Sequence, residues 1–352
     1  MITVSLFETP LLSKIICHPR IINETLTTRG AIVAESQIKH IAVIGAGTMG
    51  VGIAQAFLLA GRTVTIIDVS AEALERCKTQ LQQNVQSFIH HKLTTHSIEK
   101  VMENVTFLQC DITDIPLDNI DMYVESLPEI EELKRSLFSQ LCNTDEHVIL
   151  ATNTSSMTVS RICNELPTQH RMIGLHYFNP AHIIPAVEVH KGPLTSKQTI
   201  DTTLSLMKAI GKQPVLVQKE VPGFIINRLT GAMEREIDFL LDEGVVSPED
   251  LDIAVKASYG FRLATLGPME AEDMIGLDTA ARASANIFPT LSNAHLPSKQ
   301  LLEKVANNEL GIKSGIGWYD YRNSQSTEVL ANNNEKLLKQ LSLFLAQQPQ
   351  GK

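Results

Sequence analysis

From Lys39 onward, short apolar runs alternate with amphipathic stretches. HIAVIGA is an apolar run ending in glycine, and TMGVGIAQAFLLAG after it has helical character. RTVTIID is a second, β-branched strand closed by Asp68, and residues 70–103 carry two helical stretches, the first long and rich in Gln, Glu and Lys. VTFLQC, DMYVESL and HVILATN read as further strands, with the helical EELKRSLFSQLC between the last two. Strands alternating with helices predict a parallel, doubly wound α/β sheet. MIGLHYF, AVEVH and QPVLVQ extend it, with a helix from about Ser196 to Ile210 before the last.

The pattern changes after Val221-Pro222-Gly223. FIINRLTGAMEREIDFLLDEG has apolar residues at helical spacing, and Ser247-Pro248-Glu249-Asp250 reads as an N-cap with proline at the first helical position. No convincing strand follows, which predicts a second, all-helical domain. The expected organisation is an extension over 1–37, a dinucleotide-binding domain over 38–221, a helical substrate and dimerisation domain over 222–323 and a tail over 324–352. In the tail, KLLKQLSLFLA puts Leu337, Leu338, Leu341, Phe344 and Leu345 on one helical face, which suits docking on the body or on a second subunit.

At 352 residues, with 43% apolar and 20% charged residues, the chain can hold two domains with real cores. A net charge of −9 argues against nucleic acid or an acidic membrane as partner, since both are polyanionic. No run of about 20 apolar residues is present to span a bilayer. Residues 1–37 lack a basic region followed by a clean apolar core, and Lys14, Arg20 and Arg29 balance Glu8, Glu24 and Glu35, so neither a secretory signal nor a transit peptide is expected. The five cysteines (Cys17, Cys77, Cys110, Cys142, Cys163) never fall in C-x-x-C spacing, which suits buried hydrophobes in a reducing, cytoplasmic setting rather than disulfides or zinc. His90, His91, His182 and His190 show no coherent ligand spacing, and no metal site is expected.

Two constellations carry chemistry. Gly45-Ala-Gly47-Thr48-Met49-Gly50 lies between a strand and a helix, where the Rossmann dinucleotide fingerprint requires it. Gly45 permits the tight turn, Gly47 lets the backbone approach a pyrophosphate, Gly50 allows close helix–strand packing, and the phosphates would rest on the helix N-terminus. Asp68, 18 residues beyond Gly50, can accept hydrogen bonds from a ribose diol and would repel a 2′-phosphate. Val69 and Ser70 offer no compensating cation, so the expected cofactor is NAD; Asp68 can also cap the following helix. The second constellation is GLHYFNPAHIIPAVEV, residues 174–189. Read as two strands joined by a Pro-bounded loop, it sets His176 and Glu188 equidistant from His182 and hence near each other across a hairpin. A histidine oriented by a carboxylate can take a hydroxyl proton as hydride leaves the same carbon. The same pair could also merely satisfy two polar groups within a sheet.

HIAVIGAGTMG, VESLPE, TNTSS, GLHYFNP, VEV, PGFIINR, GPMEAEDMIGLD and GIKSGIGWYDY occur in the order seen in L-3-hydroxyacyl-CoA dehydrogenases, and the chain resembles that family over about residues 38–323. No attached hydratase module is evident. The resemblance implies reversible NAD-dependent oxidation of an L-3-hydroxyacyl thioester, with His176 as base and Glu188 as its partner. It implies Ser155 and Asn227 holding substrate oxygens, Asn179 organising the site, and Asp68, Glu129, Lys134, Asn153 and Lys313 lining the NAD pocket. It further implies a homodimer built through the helical domain, which the apolar face of 224–241 suits. Taken without the resemblance, Ser155 and Asn227 also read as cap or turn residues. Thr152 stands where the acyl-CoA branch more often has serine. IIPAVEV, VQKEVPGF, VVSPEDLD and GFRLATLGPMEA are similar to the related branch acting on free 3-hydroxy acids, the L-gulonate 3-dehydrogenase and lambda-crystallin relatives. A CoA arm would lie against residues 80–95, where Lys78, Lys92, His90 and His91 supply little basic charge. The alternatives are a free acid of the gulonate or carnitine type as substrate, or a catalytically silent NAD-binding protein.

Overall fold

Eight strands form one sheet: β1 (His40–Ile44), β2 (Thr63–Asp68), β3 (Val105–Gln109), β4 (Met122–Glu125), β5 (Ile149–Thr152), β6 (Met172–Tyr177), β7 (Ala186–Lys191) and β8 (Gln213–Val217). Their spatial order is β3-β2-β1-β4-β5-β6-β7-β8. Every neighbouring pair is parallel except β6 and β7, which form the expected antiparallel hairpin with His176 directly opposite Glu188. The computed structural model describes residues 37–347. The extension expected at 1–37, apart from its last residue, lies outside them.

The sheet is covered on both faces because its central strands are apolar at nearly every position, with a polar residue only at or near one end. Ile41 and Val43 of β1 point one way, into a core with Phe57 of α1 (Thr48–Leu59), Leu81 and Val85 of α2 (Ala71–His90), Val101 of α3 (Ile98–Met102) and further side chains of the same layer. Ala42 and Ile44 point the other way, onto Leu137 and Phe138 of α4 (Glu131–Gln140) and Ile162 of α5 (Val159–Cys163). Leu206 of α6 (Lys197–Ala209) joins the first layer. A near-continuous apolar run is what a parallel strand needs when helices pack on both sides. Ser70, Ser97, Thr158 and Ser196 accept the backbone N–H three residues on and so start α2, α3, α5 and α6.

The chain steps outward from β1 through β2 to β3, then returns to place β4 on the other side of β1. Ligands of open α/β sheets bind in the crevice at the carboxyl ends of the strands where the order reverses. Here that point holds the glycine loop. Gly45 sits at φ +110°, and a Cβ there would come within 2.4 Å of the Ser126 carbonyl oxygen. A Cβ on Gly50 would come within 1.9 Å of the Gly45 carbonyl oxygen.

Beyond β8 the chain is helical: α7 (Ile226–Asp242), α8 (Pro248–Ala257), α9 (Tyr259–Leu263), α10 (Pro268–Ile275), α11 (Leu277–Ile287) and α12 (Lys299–Ala306). Ser247 caps α8 and Pro248 opens it, as the sequence predicts. Two isolated bridges, Gly311–Ile316 and Ile316–Asp320, are the only β pairing in this part of the described residues. Along α7 only Leu241 is buried, while Leu229, Met233 and Phe239 are exposed. The tail helix α13 (Ser326–Gln347) docks on the sheet domain. Leu338 and Leu341 are buried against Phe88 and Ile183, and Glu335 meets the His91 ring at 3.1 Å. Leu345, on the same predicted face, is half exposed.

Gly50→Ala is expected to destabilise the protein by about 1–3 kcal/mol, because backbone carbonyl cannot yield as a side chain can. Thermal unfolding measures the loss, and NAD titration by intrinsic fluorescence should show weakened binding in the same variant. A melting temperature equal to that of the parent protein would contradict the packing described for the loop.

Candidate active site

Strand β1 ends at the glycine loop, and α1 begins at Thr48 with Gly47 as its N-cap and no capping side chain. A Cβ at Gly47 would meet nothing within 4 Å, so the loop is open to a ligand on that side. At the end of β2, Asp68 Oδ2 accepts the Ala46 N–H at 2.8 Å and Oδ1 accepts the Ser70 N–H at 2.9 Å. The carboxylate therefore ties the glycine loop to the start of α2 while standing on the cavity wall.

At the end of β4 lies a buried charge cluster. Glu125 is 0% and Lys134 1% exposed. Lys134 Nζ donates to Glu125 Oε1 at 2.6 Å and pairs with Glu129 Oε2 at 3.0 Å. Glu125 also accepts from the Thr152 hydroxyl at 2.6 Å and the Leu127 N–H at 2.7 Å, so both its oxygens are satisfied. Glu129 Oε1 accepts from the Thr154 hydroxyl and the Ser155 N–H, each at 2.7 Å, and from the Ser155 hydroxyl at 3.1 Å. Burial opposes the charge on Glu129, but the Thr154 hydroxyl, the Lys134 ammonium and the Ser155 amide outweigh it and hold the carboxyl down at about 2.

At the far side stand the hairpin residues. His176 Nδ1 is 2.7 Å from Glu188 Oε2. The other oxygen, Oε1, accepts the N–H groups of Ile225 and Ile226 at 2.9 Å each, at the start of α7. Burial opposes the charge on Glu188; the His176 hydrogen bond and the two amides prevail and lower its pKa from the ordinary carboxylate range. The carboxylate sits where the helix dipole favours negative charge. With Nδ1–H donated to Glu188, the lone pair of the imidazole is on Nε2. The His176 ring packs on Phe178 at 4.6 Å and on Phe224 at 5.5 Å between centroids.

One cavity of about 920 Å³ joins these groups. Gly45, Gly47, Thr48, Met49, Asp68, Glu129, Asn153, Ser155, His176, Asn179 and Asn227 all line it. Gly50 lies just behind it, packed against Gly45. Glu188 lies behind His176 and meets the cavity only through that ring. Asn153 Oδ1 accepts the Tyr177 N–H at 2.9 Å, and Asn227 Nδ2 donates to the Ser155 carbonyl at 3.1 Å, bringing β5, β6 and α7 to one point.

Two of the expected residues are not among those that line the cavity. Lys134 is not in the lining: its ammonium is drawn between two carboxylates behind the wall and reaches the cavity through Glu129 and the Leu127 carbonyl, both of which line it. Lys313 is also absent from the lining. Its segment is folded onto the helical domain by the Gly311–Ile316 bridge and by Lys304 Nζ donating to the Gly317 carbonyl at 2.9 Å. Sequence reading passed over Glu125, signalled by an acid ending the apolar run MYVE. It also passed over Arg76 of α2, which lines the cavity one helical turn past Ala73.

Comparison with known proteins follows this division. The family model for the 3-hydroxyacyl-CoA dehydrogenase NAD-binding domain matches residues 40–221, and that for the C-terminal domain matches residues 223–321. The chain belongs to the 3-hydroxyacyl-CoA dehydrogenase family. It is 35% identical over 302 residues to 5-formyl-3-hydroxy-2-methylpyridine 4-carboxylate 5-dehydrogenase of Mesorhizobium japonicum, covering 86% of this chain and 96% of that protein. It is 34% identical over 305 residues to mitochondrial hydroxyacyl-coenzyme A dehydrogenase of Homo sapiens, covering 84% of this chain and 95% of that one. A crystal structure of an NAD-dependent enzyme of the former activity superposes with a TM-score of 0.81 at 33% identity, covering 88% of this chain and all (100%) of that one.

The residues of this family member fit NAD. An uncapped N-terminus of a 12-residue helix, an open Gly47 and the Asp68 carboxylate all face the one cavity. Arg76 is 71% exposed and pairs with Glu72 at 3.8 Å, so it leaves Asp68 the dominant charge at the end of β2. Glu129 also makes stability depend on pH. Its folded pKa, about 2, lies below the ordinary 4.5, so its contribution is complete above pH 4.5 and is lost as pH falls from there towards 2. Denaturant unfolding at constant ionic strength should give Glu129→Gln a flatter decline across that window. Equal slopes for the two proteins would remove Glu129 from the account.

Proposed function

We propose that the protein catalyses reversible NAD-dependent oxidation of the 3-hydroxyl of an L-3-hydroxyacyl-CoA to the 3-ketoacyl-CoA. The observation that carries this is the His176–Glu188 pair, joined at 2.7 Å, in the same cavity as the glycine loop. NAD, when bound, accepts the hydride. His176 Nε2 takes the hydroxyl proton, and Glu188 fixes the tautomer and stabilises the imidazolium that results. Ser155 and Asn227 hold the substrate's oxygens, and Asn179 shapes the site beside His176. Asp68 receives the ribose hydroxyls, and Glu129 and Asn153 line the cofactor's side of the cavity. The division falls at residue 222, with the reaction between the sheet domain and α7.

A second reading, the same chemistry on a small free carboxylic acid, is favoured by one observation. The end of α2, where a CoA arm would lie, is covered by α13 through Phe88, Leu338 and Leu341, and His91 is taken up by Glu335. The relative from Mesorhizobium japonicum is also named for a free pyridine carboxylate. Following NADH absorbance with acetoacetyl-CoA, L-gulonate and L-carnitine separates the readings. His176→Ala is expected to lower kcat by about 10²–10⁴ on whichever substrate is used, the usual contribution of a positioned base. Unchanged turnover in that variant sinks both readings.

The chain should assemble as a homodimer through its helical domain. Leu229, Met233, Phe239, Phe261, Met274 and Phe288 are all exposed there, large apolar side chains of the kind a subunit interface covers. Multi-angle light scattering is expected to give twice the chain mass of 38.8 kDa, and Phe239→Glu with Leu229→Glu should halve it. Among the described residues no helix is long and apolar enough to cross a membrane, and Cys77, Cys110, Cys142 and Cys163 are all free thiols. Those thiols support a reducing, cytoplasmic location.

A further inference from the structure

His190 is a buried side chain beside the reacting pair that the mechanism does not use. It lies two residues past Glu188 on β7 and is 0% exposed, so it projects from the same face of the sheet. Gly174 stands opposite it, two residues before His176. A Cβ on Gly174 would fall 1.9 Å from the His190 ring, so the glycine makes the room that the ring fills. Neither ring nitrogen has a hydrogen-bond partner. Burial pushes the His190 pKa down to about 3, His176 adds to that and Glu188 opposes it, so the ring is neutral throughout the working range.

Leucine or valine would continue the apolar pattern of this strand without burying two unpaired nitrogens, a cost any polar group bears in such a place. What aliphatic side chains cannot supply is a flat partner. The His190 ring stacks on Phe224 at 3.9 Å between centroids and 25° between planes. Phe224 occupies the left-handed region at φ +50°, directly after Gly223 at +76°, an unfavourable conformation for an aromatic residue that its surroundings must enforce. That turn delivers the Ile225 and Ile226 amides to Glu188 and sets the Phe224 ring against His176.

We infer that His190 is a positioning residue, seating the Phe224 ring and thereby fixing the turn that holds Glu188 and His176 in their working geometry. This rests on His176 being the base. Around His176, β7 contributes the Glu188 carboxylate and the neutral His190 ring, the loop after β4 contributes the Glu129 carboxylate on the same cavity, and α7 contributes backbone amides through Glu188.

The test uses the full-length protein with NAD and the best substrate of the panel above, and compares His190→Leu with His190→Phe. The leucine variant should melt at the parent temperature or higher, because two unpaired nitrogens are gone, yet lose at least tenfold in kcat. Its acid limb should move to higher pH: with the amides loosened, Glu188 holds the His176 proton more firmly. The phenylalanine variant, which keeps the flat stack, should restore both rate and profile. Titration of the His176 ring by ¹⁵N NMR reads the same shift without turnover. A leucine variant with parent kcat and parent His176 titration overturns the inference, and so does one that loses melting temperature together with activity, which would make His190 a packing residue. Should His176→Ala stay active, the proposed function itself fails; should it be inactive while His190→Leu is silent, only the role of His190 falls.

Discussion

The geometry of the site depends on one carboxylate. Glu188 gives one oxygen to His176 Nδ1 and the other to the first N–H groups of α7. A carboxylate this deep is tolerable only if its charge is met on both sides, because leaving either oxygen unpaired inside the protein would cost more than exposing it. The consequence is mechanical as well as electrostatic. The orientation of the histidine is set by strand pairing between β6 and β7, and also by where the second domain begins. A displacement of α7 would withdraw two donors from Glu188, and the imidazole would feel it.

The cofactor side solves the same problem with a different device. Glu125, Lys134 and Glu129 place one cation between two anions behind the cavity wall, and hydroxyls and amides satisfy the remaining oxygens. Lysine alone would leave an unpaired charge buried at the end of a central strand, and the carboxylates alone would repel each other. Together they leave Glu129 ionised at the cavity surface and hold the loop of Thr154 and Ser155 rigid. Asp68 does the equivalent work at the end of β2, tying the glycine loop to α2 through two backbone amides. Charge in this site is therefore also structure.

Much of this was legible in the sequence because it rested on local pattern. The doubly wound sheet followed from apolar runs alternating with amphipathic ones, and the glycine spacing located the cofactor loop within it. The symmetry of His176 and Glu188 about His182 gave their register, since a hairpin pairs residues equidistant from its centre. What stayed hidden depended on depth and on distant partners. Nothing in EELKRSLF tells that Lys134 turns inward between two acids while Arg135 donates to carbonyls on the surface. Lys313 belongs to a segment whose course is set by the helical domain, beyond the reach of periodicity. The stacking of His190 on Phe224 joins residues on β7 and on the turn before α7, and its only sequence trace is a polar residue interrupting an apolar strand opposite a glycine. Nor could spacing show that the tail helix would settle over the end of α2.

The groups assigned to the substrate are not idle before it arrives. The Ser155 hydroxyl donates to Glu129, and the Asn227 amide donates to the Ser155 carbonyl. A site whose donors are already paired avoids the cost of unsatisfied polar atoms, yet the same groups must serve a substrate oxygen when it enters. Glu129 can release the Ser155 hydroxyl at small cost, because Thr154 and the Ser155 amide remain on the same oxygen. Asn227 has slack of another kind: its amide carries two N–H donors, and the Ser155 carbonyl takes only one of them. The second can turn to an entering oxygen while the bond between the loop after β5 and α7 stays in place. Since α7 is also the helix whose first N–H groups support Glu188, an arrangement that keeps this bond leaves that support undisturbed.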